Sequence, residues 1–342
     1  MPKRVKNIFK KKITLHNMLE AYKRAAKGKS SNKEVILFGM NLGSNLYEIT
    51  NDIYNDRYKM GIYRKFVIYE PKKREIMSLP FRDRVVHQWY VEEFIKPIFL
   101  PKFIDDTYAC IENRGVHKAI KKLKQYTNLK YRKNQDYYIL KCDISKFFYN
   151  INKEILYNII LRSVKDKDFL SFTKKLIFDG TGKIKIPIGN YTSQWFANIY
   201  LNELDHYVKE NLKVKYYVRY MDDFVLLLDS KEESREILEK IKFFLKKRLE
   251  LDLNSKTNYF KNKQGVNFCG YKIRKNKIYV VNNNKKKIYR KVRKWNKLYR
   301  ANKLDLMRAG QSFTSWQGHA KHCQNERFIK LVISKCEWIY WK

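Results

Sequence analysis

Three aspartates have the residue type and the positions to bind metal ions. Asp143 ends an apolar stretch that begins at Tyr138, and Asp222 and Asp223 lie between two apolar stretches that read as a hairpin. Adjacent residues on a regular strand point to opposite faces, but in a tight turn both carboxylates can approach one point. An Asp-Asp pair alone carries little weight, because Asp is a common turn residue. If the strand of Asp143 pairs beside the hairpin, three carboxylates converge.

Such a group of carboxylates indicates a particular chemistry. Their negative charges repel unless they are protonated or neutralised by cations. Ligands that are all oxygen favour magnesium, which takes its remaining ligands from water and phosphate. Two such ions can activate a 3′ hydroxyl and stabilise a leaving pyrophosphate.

The surrounding pattern predicts the elements that must position these residues. Helices and antiparallel strands follow one another in mixed order along the chain, which favours an α+β fold built on an antiparallel sheet and not a doubly wound parallel one. Strands are predicted within 61–80 (two, around a basic turn), 137–144, 214–229 (a hairpin) and 266–281 (two), and helices within 1–60, 82–99, 115–126, 152–178, 192–211, 231–249 and 285–342.

Composition indicates the kind of partner. The 342 residues include 74 Lys and Arg against 34 Asp and Glu, a net charge of +40. So much like charge in a compact fold is best tolerated when a polyanion is bound. We find no apolar run long enough to span a membrane, no secretory signal, and five scattered cysteines. We therefore expect a cytoplasmic protein that binds nucleic acid and no membrane.

Read together and in order, several segments resemble one family. Tyr220-Met221-Asp222-Asp223 is similar to the YxDD signature of reverse transcriptases. The resemblance extends over about residues 60–275 and includes a fingers segment similar to that of group II intron and related bacterial enzymes. The other matching blocks are Glu70–Arg74 and Leu79–His87 (fingers), Asp143–Phe148 (first catalytic block), Ile186–Leu201 (base-pair block), Leu253–Thr257 (lysine block) and Phe268–Tyr271 (primer grip).

The resemblance implies a right-hand polymerase fold. Its expected parts are a basic helical N-terminal region (1–60), fingers (61–136), a palm (137–275) into which part of the fingers is inserted, and a basic helical thumb (276–342). It also implies RNA-directed DNA synthesis, with template RNA, primer, cDNA product and deoxynucleoside triphosphates as partners. Two Mg²⁺ ions, for which Mn²⁺ can substitute, are expected on Asp143, Asp222, Asp223 and the backbone carbonyl of Ile144.

The same resemblance implies roles for further residues. Phe148 is expected to exclude a ribose 2′ hydroxyl, and Lys256 to protonate the leaving pyrophosphate. The remaining expected contacts are Lys72 and Arg74 with the triphosphate, Ile188 and Gly189 with the new base pair, and Phe268, Cys269, Gly270 and Tyr271 with the primer. Gln194 is also expected to bind substrate, and it faces the sheet, the template strand or the metal site. Structural roles remain the alternatives: core packing for Phe148 and Ile188, and a solvated surface for Lys72, Arg74 and Lys256.

One departure narrows the resemblance. Most relatives carry Gln before the glycine of the base-pair block and Ser-Pro after it, whereas this chain has Ile188 and then Ser193-Gln194. This pattern resembles the reverse transcriptases of diversity-generating retroelements. It implies misincorporation opposite template adenines and a small, basic, helical, oligomeric accessory variability protein as partner. Defence-associated or group II intron-like bacterial reverse transcriptases are the alternative, and a non-catalytic RNA-binding protein on a polymerase fold is an alternative of another class.

The C-terminal region predicts a phosphate-binding surface. Residues 285–300 place Ile288, Val292, Trp295 and Tyr299 on one helical face, and basic side chains cover the rest. A solvated charged face is the plainer interpretation. The residues expected to follow the nucleic-acid backbone are Lys285, Lys286, Lys287, Arg290, Lys291, Arg293 and Lys294. Ser315–His319 resembles C-terminal segments of the same retroelement enzymes.

Overall fold

A computed structural model describes residues 4–69, 73–178, 186–274 and 277–339. The strands are β1 (Arg64–Ile68), β2 (Arg74–Ser78), β3 (Tyr138–Asp143), β4 (Tyr217–Tyr220), β5 (Asp223–Leu228), β6 (Asn258–Lys261), β7 (Val266–Phe268), β8 (Tyr271–Arg274) and β9 (Lys277–Val280). The helices are α1 (Leu15–Ala26), α2 (Lys33–Met40), α3 (Leu42–Tyr54), α4 (Phe81–Tyr90), α5 (Lys96–Phe99), α6 (Val116–Lys133), α7 (Phe147–Asn150), α8 (Lys153–Leu161), α9 (Lys167–Phe178), α10 (Tyr191–His206), α11 (Lys231–Leu249), α12 (Asn282–Arg300), α13 (Leu306–Ala320) and α14 (Glu326–Ser334).

The chain forms two compact units, and each unit draws on three separate segments. The first unit contains Met1–Asp105, Ile144–Lys213 and Lys240–Ser255, and the second contains Asp106–Asp143, Val214–Glu239 and Lys256–Lys342. Within the described ranges, no helix is both long enough and apolar enough to cross a membrane.

The second unit is built on two antiparallel sheets. One has the strand order β4-β5-β3-β6 and the other the order β7-β8-β9. Every residue of β5 after Asp223 is buried, as expected for a central strand. The apolar stripe of α6, which includes Ile120 and Leu123, packs in the same core as Val225 and Tyr271. This packing holds the middle of β3 and β5, the strands that carry Asp143 and Asp223 at their ends.

The three C-terminal helices form a smaller core in the same unit. Ile288 and Val292 of α12 pack with Phe313 of α13 and Val332 of α14. The amphipathic face predicted from the sequence is therefore confirmed. Its apolar side is buried, and most of its basic side chains are exposed.

The first unit is mainly helical and has an aromatic core. The ring of Phe9 lies 5.7 Å from Trp89, 5.4 Å from Phe94 and 5.3 Å from Phe172. Within the described residues, the sheet in this unit has two antiparallel strands, β1 and β2. Most side chains of α10 are buried, 11 of its 16 residues. This helix is therefore firmly packed and holds the residues directly before it, 186–190, in place.

Most predicted elements are confirmed, with three corrections. The helix predicted over residues 192–211 is α10 followed by a π-helical turn, Tyr207–Asn211. The helix predicted over residues 82–99 is α4 and α5 separated by a π-helical turn, Val91–Ile95. Residues 266–281 hold three strands and not two, because Cys269-Gly270 is itself a tight turn with φ of 48° and 82°. The division into N-terminal region, fingers, palm and thumb stays a prediction.

Candidate active site

The three aspartates lie at one end of the four-stranded sheet. Asp143 is the last residue of β3 and is paired with Asp223, the first residue of β5. Tyr220 pairs with Asp223 across the β4-β5 hairpin, so Met221 and Asp222 form a two-residue turn. The hairpin predicted from the sequence is therefore confirmed. The pairing of β3 with β5 places Asp143 directly opposite Asp223.

A buried arginine holds this turn. Met221 has a φ of 58°, a left-handed conformation that costs a non-glycine residue roughly 1–3 kcal/mol. Arg219 is fully buried, and its Nη1 donates a hydrogen bond of 3.0 Å to the carbonyl of Met221. Its Nη2 lies 3.4 Å from the hydroxyl of Thr107. Arg219 thus fixes the residue before Asp222, a role that sequence reasoning missed although a charged residue in an apolar strand was its signal.

The electrostatics of this end of the sheet favour a cation. Burial raises the pKa of Asp223, the nearby charges of Asp143 and Asp222 also raise it, and the net value is about 7. Lys141 opposes this effect and lowers the same pKa, because its Nζ lies 3.3 Å from Oδ2 of Asp223. The other oxygen, Oδ1, is buried and has no hydrogen-bond partner in the described part of the chain. Asp223 therefore offers an unsatisfied acceptor in a locally negative environment.

The donors at this end of the sheet suit a hard divalent ion. They are carboxylate oxygens, the ligands that Mg²⁺ and Mn²⁺ prefer. Within the described ranges, no group of three or more His, Cys, Asp or Glu side chains is already arranged to hold a metal ion. The strand register brings the three aspartates to the same end of the sheet. Their carboxylates are not yet oriented around one point as the ligands of a bound ion would be. The unpartnered Oδ1 of Asp223 shows that the residues nevertheless fit a cation.

Lys256 lies on the turn that leads into β6. Its neighbour Thr257 accepts a hydrogen bond of 3.3 Å from the backbone N–H of Asp143 through Oγ1. Lys256 itself is exposed. The structure therefore places Thr257 of the lysine block beside the end of β3. The role of Lys256 as a proton donor stays a prediction.

The segment Phe268–Tyr271 forms the turn between β7 and β8. Phe268 is buried, whereas Cys269 is half-buried and burial raises the pKa of its thiol. The ring of Tyr271 stacks on His319 with 4.2 Å between ring centroids, and its hydroxyl donates a 3.2 Å hydrogen bond to the His319 carbonyl. The C-terminal Ser315–His319 segment therefore supports this turn, a contact that the sequence did not indicate.

The base-pair block lies in the first unit, where backbone bonds fix it at both ends. Ile186 donates its N–H to the carbonyl of Phe148 at 3.1 Å, and Met77 of β2 donates its N–H to the carbonyl of Ile188 at 2.8 Å. Gly189 has a φ of 133°, and a Cβ there would lie 2.5 Å from the carbonyl oxygen of Met77. This close approach requires glycine. Backbone hydrogen bonds therefore connect the segment that contains Ile188 and Gly189 to Phe148 on one side and to β2 on the other.

Burial separates the two neighbouring phenylalanines. Phe147 is buried in the core, and Phe148 is half-buried. Ile188 is half-buried as well, so each of these two side chains has surface left for a ligand. The structure is consistent with the predicted distinction between a core ring at Phe147 and a contact residue at Phe148.

Gln194 is an exposed residue on a helix whose side chains are otherwise mostly buried. The start of this helix, α10, is anchored by a 2.8 Å hydrogen bond between the Thr192 hydroxyl and Nδ1 of His87. Burial lowers the pKa of His87 to about 4, so its ring is neutral at pH 7. The role of Gln194 in substrate binding stays a prediction.

The basic residues predicted to bind phosphate are placed unequally. Arg74 begins β2 and is exposed. Lys72 lies outside the described residues, as do Glu70 and Pro71. On α12, Lys285 is partly buried and lies 5.2 Å from the ring centroid of Phe328. The exposed residues of this helix face are Lys286, Lys287, Arg290, Lys291, Arg293 and Lys294.

Comparison with known proteins identifies the family. Residues 69–273, more than half of the chain, match the family described as reverse transcriptase (RNA-dependent DNA polymerase). The chain belongs to the reverse transcriptase family. The family and the mixed helix-and-sheet structure together confirm the expected α+β, right-hand polymerase class of fold.

Two curated proteins similar to this chain are named as intron proteins. The putative COX1/OXI3 intron 2 protein of Saccharomyces cerevisiae is 24% identical over 324 aligned residues, covering 74% of this chain and 36% of that protein. The group II intron-encoded protein LtrA of Lactococcus lactis subsp. cremoris is 23% identical over 297 aligned residues, which cover 64% of this chain and 47% of that protein. The chain thus spans less than half the length of these relatives.

Solved structures similar to this chain include two telomerases. The apo telomerase from Candida tropicalis, truncated from its C-terminal domain, has a TM-score of 0.49 at 13% identity, covering 62% of this chain and 53% of that one. The telomerase from Candida albicans in complex with a fragment of telomeric RNA has a TM-score of 0.49 at 12% identity, and the match covers 66% of this chain and 47% of that one.

Proposed function

We propose that this chain is an RNA-directed DNA polymerase that copies a template RNA into cDNA. The observation that supports it most strongly is the register that sets Asp143 opposite Asp223, with Asp222 on the adjoining turn. Asp143, Asp222, Asp223 and the backbone carbonyl of Ile144 are the proposed ligands of two Mg²⁺ ions, or Mn²⁺ in their place. When bound, such ions would lower the pKa of the primer 3′ hydroxyl and neutralise negative charge on the leaving pyrophosphate.

The chain's own residues then bind and orient the substrates. Lys72 and Arg74 pair with the triphosphate, for which the arginine fork is well suited. Lys256 donates a proton from Nζ to the leaving pyrophosphate oxygen. The β7-β8 turn holds the primer end, and the exposed basic face of α12 follows the phosphates of the duplex.

Copying of a defined RNA tests this function. The purified chain is given an RNA template with an annealed DNA primer, all four deoxynucleoside triphosphates and Mg²⁺. We expect a product that is degraded by DNase, resists RNase and has the sequence complementary to the template. A product that is absent with every divalent ion tried, or that is unrelated in sequence to the template, would contradict the proposal.

The half-buried Phe148 gives a prediction about sugar selection. With Phe148→Ala, the ring no longer contacts the sugar, and discrimination against ribonucleotides should fall by about 10–100-fold. Alkaline cleavage of the extended product measures the incorporated ribonucleotides. The matched variant is Phe147→Ala, which should destabilise the core by about 3–5 kcal/mol and leave the discrimination unchanged. Equal sugar selection in the wild type and Phe148→Ala would assign Phe148 to packing.

We further propose that the enzyme serves a diversity-generating retroelement. The half-buried Ile188 supports this, because an aliphatic side chain gives contact at the base pair but no directional hydrogen bond. A glutamine there would penalise poorly shaped pairs through such a bond. Errors are then expected mainly opposite template adenines, and the expected partner is a small, basic, helical accessory variability protein.

Restoring the hydrogen bond tests the mutagenic role. Ile188→Gln should lower the error rate opposite adenine by about 10-fold, because one hydrogen bond contributes roughly 1–3 kcal/mol to discrimination. The measurement is sequencing of cDNA copied from a defined RNA. Ile36→Gln, on the exposed surface of α2, makes the same exchange elsewhere and should leave the errors unchanged.

The alternatives give different error patterns in the same experiment. Wild-type errors that are rare and evenly spread over the four template bases would favour a defence-associated or group II intron-like reverse transcriptase. Complete absence of synthesis, together with tight RNA binding, would favour the non-catalytic RNA-binding protein.

A further inference from the structure

Lys141 contacts the carboxylate site without being one of its proposed ligands. It precedes Asp143 by two residues on β3, so both side chains point to the same face of the sheet. Across the ladder, Lys141 pairs with Val225, two residues after Asp223, which makes Lys141 and Asp223 diagonal neighbours. Its side chain is 28% exposed and that of Asp223 is 26% exposed.

The ammonium group of Lys141 has two partners. Nζ lies 3.3 Å from Oδ2 of Asp223 and donates a 2.6 Å hydrogen bond to the backbone carbonyl of Asn267. Asn267 belongs to β7, one residue before the proposed primer-binding turn. The second bond holds the ammonium beside the carboxylates even when its pairing with Asp223 is broken.

A cation at Asp223 must compete with Lys141 for Oδ2, and at Oδ1 it is still repelled by the ammonium charge. Oδ2 is already engaged by the ammonium group, and Oδ1 is buried without a partner in the described residues. A divalent ion at Asp223 would lie a few ångströms from a fixed positive charge, and in a partly buried site this repulsion is only weakly screened.

We propose that Lys141 is a positioning residue that occupies Asp223 and weakens divalent-ion binding until the anionic triphosphate arrives. This inference rests on the proposed metal site. The nucleotide brings negative charge that offsets the ammonium group, so tight ion binding is coupled to nucleotide binding. The Asn267 carbonyl keeps Lys141 in place when the ion displaces it from Asp223.

Binding of Mn²⁺ to the full chain without nucleotide tests this proposal, with electron paramagnetic resonance of the free ion as readout. In Lys141→Gln, we expect Mn²⁺ to bind about 10-fold more tightly than in the wild type, because a positive charge beside the site is lost. Lys141→Arg keeps the charge and should bind like the wild type. Asp223→Asn should bind most weakly.

The matched control is Lys261→Gln. Lys261 is exposed on β6 of the same sheet and pairs with Tyr138, about 10 Å along β3 from Lys141. The same loss of charge there should leave Mn²⁺ binding unchanged. Circular dichroism confirms that each variant is folded.

The outcomes separate this proposal from the proposed function. Binding that depends on Asp223 but is unchanged or weaker in Lys141→Gln overturns the role of Lys141 and leaves the metal site intact. The same tightening in Lys261→Gln would reduce the effect to the overall charge of the chain and overturn the role as well. If no variant binds Mn²⁺ in an Asp223-dependent way, the metal-site proposal fails and takes this inference with it.

Discussion

In the Asp222→Asn variant, metal-dependent DNA synthesis is expected to fall by at least about three powers of ten. The amide keeps the volume of the side chain but removes the charge that a divalent ion requires. Losing about 4 kcal/mol of transition-state stabilisation accounts for a decrease of this size. Asp222 lies in a turn, where asparagine is readily accepted, so the fold should be retained. The measurement is the single-turnover rate of primer extension on RNA.

Asp136→Asn is the matched control for this variant. Asp136 lies in the same unit, just before β3 and therefore at the other end of that strand from Asp143. It is paired with Lys263 at 3.0 Å on the exposed surface. The same exchange there should leave the extension rate unchanged. Wild-type extension by Asp222→Asn would show that Asp222 is not a ligand of the catalytic ions.

Gly189→Ala is expected to have the second large effect. The left-handed φ of 133° is strained for alanine, and its Cβ would lie 2.5 Å from the Met77 carbonyl oxygen. The strain should lower the free energy of unfolding by about 1–3 kcal/mol. Displacement of the adjoining Ile188 should lower kcat/KM for the incoming nucleotide by about 100-fold, because catalysis depends on positions to within about 1 Å. Thermal melts and steady-state extension kinetics measure the two effects.

Gly43→Ala controls for the general effect of removing a glycine. Gly43 lies on α3 in the same unit, and nothing in the described part of the chain lies within 4 Å of a Cβ added there. Alanine in a helix is favourable, so stability should be unchanged or slightly higher. If Gly189→Ala behaves like Gly43→Ala, the β2 contact does not position the base-pair block.

Much of the fold and the grouping of the aspartates could be predicted from local sequence. Apolar stretches on both sides of Asp222 and Asp223 predicted the β4-β5 hairpin, and the apolar stretch before Asp143 predicted β3. These signals are local, because strand formation depends on patterns only a few residues long. The convergence of the three aspartates then required one further assumption, that β3 pairs with the hairpin, and the observed register meets it.

The contacts that shape the site could not be predicted in the same way. Lys141 reaches Asn267 across 126 residues, and Met77 meets the Ile188 carbonyl from a distant strand. Such contacts depend on which strands become neighbours, which a single sequence does not reveal. The sequence also did not predict that Arg219 holds the turn before Asp222. Its contact with Thr107 likewise joins residues that are 112 positions apart in the chain.

Single-nucleotide insertion on an RNA template tests the central claim most directly. Wild type and Asp143→Asn are each given one deoxynucleoside triphosphate at a time, with either Mg²⁺ or a chelator. We predict Mg²⁺-dependent insertion directed by the template base, relaxed opposite adenine, and loss of insertion in Asp143→Asn by at least about three powers of ten. Insertion that ignores the template base, or that continues at the wild-type rate in Asp143→Asn, would contradict an RNA-directed polymerase built on these carboxylates.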